Sequence, residues 1–152
     1  YEDQAATVAA MFSLTIERSQ VLMGVADKLK GLQDEFIRTA DFDAAEPTVV
    51  IGLTLGQRIQ EQGPYLIDQL MGISIERKFL QELDPLTAAG PGGQTAAARL
   101  ETLDANLLEI KTLTSGLTEA MVTMDDVTRS QYLAKMKAEG ELTALRWLAA
   151  RK

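Results

Sequence analysis

The chain has 152 residues, a length that suits one domain able to bury roughly 70% of the surface its unfolded form exposes. It contains no cysteine and no histidine, which excludes disulfides, thiolate or imidazole metal sites, histidine-ligated haem, Glu-x-x-His di-iron centres and histidine-dependent serine triads. Fifteen basic against 22 acidic residues give a net charge of -7, which favours solubility and disfavours a nucleic-acid or anionic-lipid partner.

The first element is a long helix over residues 3–39, with Val8, Phe12, Ile16, Ser19, Leu22, Ala26, Leu29, Leu32 and Phe36 along one broad apolar face. Gly24 and Gly31 lie seven residues apart on one side and read as notches that let a neighbouring helix approach. The acidic stretch from Asp41 to Glu46 reads as a turn, and Pro47 is expected to open the second helix, because proline sits best in a first helical turn. Residues 49–55 are rich in β-branched side chains, but no second strand candidate exists to pair with them, so helix is the reading. Gly63-Pro64 breaks this element. Either helices 47–62 and 64–83 fold back as a hairpin, the preferred reading, or a single kinked rod runs through.

Asp84-Pro85 and Gly90-Pro91-Gly92-Gly93 mark a flexible connection over 84–93, within what is otherwise one helical domain, 1–152. Beyond it, Ala96, Leu100, Leu103, Leu107, Ile110, Thr114, Leu117, Met121 and Met124 step by fours and threes without interruption. This heptad seam predicts one helix over 94–124 that continues through Gly116. Thr123, with an acid three residues later, is expected to cap the last helix, whose apolar side is Leu133, Met136, Gly140, Leu145, Trp147 and Leu148. The fold class is therefore all-α: an antiparallel helical bundle or short helical array of four long segments, the second broken at Gly63-Pro64.

Asp41-Phe42-Asp43-Ala44-Ala45 leading into one helix, then Gly63-Pro64 and a second helix, resembles the hairpin unit of tetratricopeptide-like repeat proteins. Through Leu66-Ile67-Asp68-Gln69-Leu70-Met71-Gly72-Ile73-Ser74-Ile75 it is also similar to uncharacterised bacterial helical proteins. The resemblance covers residues 41–83 and implies a helical array used for protein binding.

No glycine-rich phosphate loop occurs, so no nucleotide cradle or other cofactor site is expected. Gly52 and Gly56 form a small-xxx-small pair suited to close helix packing. The segments Leu14-Thr15-Ile16-Glu17-Arg18 and Ile73-Ser74-Ile75-Glu76-Arg77 echo one another. They raise a carboxylate pair, Glu17 with Glu76, as the one catalytic alternative to ordinary ion pairs on a solvated face.

The leading expectation is a non-enzymatic protein-interaction module, binding a protein partner or its own copies, with Arg146 and Trp147 as candidate interface residues. The alternative is an extracytoplasmic sensor-like bundle that holds a small ligand between helices through groups such as Thr15, Ser19, Arg77 and Thr114. No stretch is long enough to span a bilayer. The first residue is Tyr1 and not methionine, which favours an exported, periplasmic origin over a cytoplasmic one.

Overall fold

The computed structural model describes residues 2–151, with side chains described for Ala10, Leu14 and every residue from Glu17 to Arg151. The described residues are helical with turns and contain no strand; an isolated bridge joins Ala88 to Thr95. The helices are α1 (Glu2–Arg38), α2 (Phe42–Gln62), α3 (Leu66–Leu80), α4 (Ala96–Ser115), α5 (Leu117–Thr123), α6 (Asp126–Glu139) and α7 (Glu141–Ala149). None is long and apolar enough to cross a membrane.

Helix α1 has nearly the expected length, but its buried row is Ser19, Ala26 and Gln33, flanked by the half-buried Leu22, Leu29 and Phe36. Leu32, expected inside, is exposed, because the buried row keeps its seven-residue step from Ser19 through Ala26 to Gln33, and Leu32, one residue before Gln33, points about 100° away from it. The Gln33 side-chain oxygen is buried and has no hydrogen-bond partner among the described residues. Val8, Phe12 and Ile16 lie outside the described side chains. Gly24 and Gly31 are not packing notches within the chain: a Cβ at either would meet nothing within 4 Å.

Helix α1 ends in a Schellman turn in which Asp41 N–H donates to the Phe36 carbonyl (2.8 Å) and Ala40 N–H to that of Ile37 (3.0 Å). Ala40 takes the left-handed conformation there, with φ of 58°. The Asp41 carboxylate then accepts from Ala44 N–H at 3.2 Å and starts α2 at Phe42, upstream of the expected Pro47. A capping side chain thus sets the boundary, and Pro47 falls inside the helix.

At Gly63-Pro64 the chain reverses. A Cβ on Gly63 would strike Asp68, one on Gly56 would lie 2.8 Å from the Gly72 carbonyl oxygen, and one on Gly52 would enter the Phe79 ring. These pairs spread outward from the turn in opposite directions along the chain, so α2 and α3 form an antiparallel hairpin with close backbones. The small-xxx-small pair has its expected packing role. The 49–55 run is helical because Val49 and Leu53 are buried on this hairpin's core side, and tertiary burial outweighs β-branched preference.

Helix α3 contacts α2, α1 and α4, so it is covered on several sides, and Met71, Ile73, Ile75, Phe79 and Leu80 are all buried. The heptad seam of α4 meets it through Ala96, Leu103 and Ile110. Residues 84–93 carry their own hydrogen bonds: Leu86 N–H to the Asp84 carboxylate (2.9 Å) and Ala89 and Gly90 N–H to the Gln94 carbonyl (3.0 and 2.9 Å).

Three C-terminal boundaries differ from the sequence reading: at Gly116, at the cap of α6, and at Gly140, which the spacing places inside a single last helix. Gly116 ends α4, and the seam resumes in the separate α5. The cap of α6 is Asp125, whose carboxylate accepts from Thr128 N–H at 2.6 Å, and not Thr123, whose hydroxyl bonds back to the Glu119 carbonyl. Gly140, with φ of 90°, separates α6 from α7. There Glu141 N–H donates to the Pro64 carbonyl (2.7 Å) while the Glu141 carboxylate accepts from Leu66 N–H (2.8 Å), the first amide of α3. A second apolar cluster forms around Tyr132, Ala144 and Leu145, with Trp147 and Leu148 packed against it.

Candidate functional site

Among the described residues, the sequence-predicted site residues do not converge. The Thr15 side chain lies outside the described residues. Ser19 is buried on α1, and Thr114 bonds back to the Ile110 carbonyl of its own helix (2.8 Å). Arg77 pairs with Asp104 on α4 at 3.0 Å and lines an open groove of about 310 Å³ together with Leu70, Ile73, Ser74, Lys78, Gln81 and Leu107. Arg146 chelates Glu109 of α4 through Nε (2.7 Å) and Nη2 (2.8 Å). That bond holds the Glu109 carboxyl below its usual range and raises the Arg146 guanidinium. Trp147 is partly buried, and the cation over its ring is Arg151, 4.6 Å from the centroid.

The carboxylate pair is absent. Glu17 is exposed, whereas the Glu76 side chain is fully buried and chelated by Arg99 through Nε (3.0 Å) and Nη2 (2.7 Å). Gln57 and Gln60 donate to its two oxygens at 3.0 and 2.7 Å. All four contacts come from within the chain, so this is a closed network between α2, α3 and α4. Glu76 is therefore not part of a solvated Glu-Arg face, and the two Ile-Glu-Arg segments have different environments. Asp68, also buried, accepts from Tyr65 N–H at 3.1 Å and pairs with Arg18 of α1. These two carboxylates fix the placement of α3, and neither has an open position for a substrate.

Large apolar side chains are exposed on several elements, among them Phe42, Val50 and Ile51 of α2, and on α1 they form a row. Leu14, Val21, Val25 and Leu32 are 66, 66, 43 and 50% exposed and follow steps of seven, four and seven. At about 100° per residue these four fall within some 40° of arc, roughly 120° away from the buried row. Arg18 and Lys28 complete the four-three spacing of the row; Glu17, Gly24, Gly31 and Arg38 run beside it, all exposed. Sequence reading missed this row because it placed Leu32 on the core face and assigned Leu14, Val21 and Val25 to no face. A second heptad count starting at Leu14 separates the two rows.

No family model, curated protein or solved structure matches the chain.

Proposed function

We propose that the chain is a non-enzymatic helical interaction module, a short antiparallel array that contacts protein, including its own copies, through the outer face of α1. The observation that carries this reading is the exposed heptad row of Leu14, Val21, Val25 and Leu32 on a helix whose other face already serves the core. Apolar residues scattered over a surface need no partner, but a row at coiled-coil spacing is what a second helix would cover. The helical-array resemblance of residues 41–83 agrees with such a use. The α2–α3 hairpin and its buried Glu76 network give α1 a rigid backing. Ligand binding between helices has weaker support, since Ser19, Arg77 and Thr114 are engaged in separate places.

The test is solution mass by light scattering over rising protein concentration, comparing the parent chain with a Val21→Glu/Val25→Glu variant. Both positions are exposed, so the variant keeps its helical circular dichroism and denaturation midpoint. The parent is expected above monomer mass and the variant at monomer mass. A strictly monomeric parent, or a variant that associates as the parent does, refutes self-association through this face.

A further inference from the structure

We propose that Gly116 is a hinge at which α4 and α5 join into one helix, and that the α6–α7 hairpin so released takes, on a second copy, the place it holds on its own chain. The apolar seam runs unbroken in sequence from Ala96 to Met124, yet the helix is interrupted at Gly116. The interruption is slight: Gly116 has φ of -95° and ψ of -4°, roughly 30–40° from helical values. Neither crowding nor a positive φ demands a glycine there, because a Cβ at 116 would meet nothing within 4 Å. What glycine contributes at this position is ease of bending. The bend leaves α5 without a side-chain cap, so the first-turn amides of Leu117, Thr118 and Glu119 lack a carbonyl one turn back. A continuous helix supplies them with the carbonyls of Leu113, Thr114 and Ser115.

The second copy is the occupant because the contacts to be re-formed are those the chain already makes. Helices α6 and α7 pack chiefly on each other. Their hold on the rest of the chain is Leu142 on the first cluster, Leu66 and Leu113 on the second, the Glu141 contacts to Pro64 and Leu66, and Arg146 on Glu109. Each of these joins a residue before Gly116 to one after it, so two copies that exchange α6–α7 restore all of them with the same partners. The exchange also adds a contact that the single chain lacks. Helix α5 has no buried residue, and Met121 is 36% exposed. In the continuous helix Thr114, Leu117 and Met121 prolong the apolar stripe of α4, and the two-fold sets that stripe against its own copy.

The experiment uses the full chain carrying Val21→Glu/Val25→Glu, which blocks the outer face of α1, so its outcome is separate from the fate of that face. Exchange requires α6–α7 to leave their own chain, so it is slow in the folded monomer and is brought about by refolding from urea at high protein concentration. The swapped dimer, once closed, persists on dilution and is read by size exclusion. Gly116→Ala should raise the dimer-to-monomer ratio roughly tenfold, since alanine favours the helix interior at both hinges. Thr118→Pro should lower it roughly tenfold: Thr118 is exposed and a proline suits the first turn of α5, but in a continuous helix it loses the bond to the Thr114 carbonyl. Exchange itself is read by mixing Glu109→Arg protein with Arg146→Glu protein before refolding. Each variant alone sets like charges together, whereas the swapped mixed dimer restores two opposite-charge pairs and should exceed either homodimer by roughly tenfold. Equal dimer yields from Gly116→Ala and Thr118→Pro overturn the hinge. A mixed dimer no more abundant than random pairing gives, or monomer alone in every variant, overturns the exchange.

Discussion

Ala40 sits where the chain leaves α1, in a left-handed conformation that crowds its Cβ against the following carbonyl at a cost of about 1–2 kcal/mol. The Schellman bonds at Asp41 and Ala40 hold it there. Glycine fits the same dihedrals without the clash but loses more freedom on folding, so Ala40→Gly should stabilise by roughly 0.5–1 kcal/mol in urea denaturation. A variant no more stable than the parent would show that this turn is not strained. Glu76 poses the opposite problem, a fully buried carboxylate beside one guanidinium. Arg99→Met leaves the carboxylate with two neutral amides and should cost about 3–5 kcal/mol, whereas Arg99→Met combined with Glu76→Leu should recover most of that loss. If the double variant were as unstable as the single, the network's value would lie in packing and not in charge pairing.

The elements were legible where apolar spacing alone determines them. The seam from Ala96 to Ile110, the length of α1 and the reversal at Gly63-Pro64 all follow from spacing and from a glycine-proline break. Boundaries were less legible where a side-chain cap competes with that spacing. Asp41 starts α2 ahead of Pro47, and Asp125 starts α6 although Thr123 also has capping chemistry, because the acid has the amide within reach. Glycines divide in the same way. At Gly52, Gly56 and Gly72 the missing Cβ is filled by a neighbouring helix, and at Gly140 a positive φ demands it. Gly24 and Gly31 look the same in sequence but face outward, since the helix phase that decides this depends on which of two apolar rows finds the core. The candidate face was hidden for that reason, and so was the Glu76 network: partners at positions 57, 60 and 99 come together only after the hairpin closes.

At the scale of the whole chain, two apolar clusters meet through a small number of contacts. The first is built from α1 to α4; the second, around Tyr132, Ala144 and Leu145, joins it through Leu66, which packs on both clusters, through Leu142 of α7 on the first, through Glu141 at the start of α3 and through Arg146 on Glu109 of α4. Since the Arg146 hydrogen bond lowers the Glu109 pKa in the folded chain, its contribution is fully present above the ordinary carboxylate range and is lost as pH falls through the lowered value. Asp125, which caps α6 by accepting from Thr128, is lowered for its own reason and weakens in the same direction. The Glu109 pair is well exposed and screened, so it contributes less than about 1 kcal/mol, enough to shift a local equilibrium without unfolding the larger cluster. Trp147 is the chain's one tryptophan and packs in the second cluster, so its fluorescence reports on that part alone, while far-ultraviolet circular dichroism is dominated by α1 to α4. On acidification the fluorescence transition should therefore precede the loss of helix, and Glu109→Gln, which no longer titrates, should narrow the gap between the two midpoints. Coincident transitions in the parent would mean that the clusters unfold as one unit and that the Glu141 contact to α3 couples them more tightly than the pairing at Glu109.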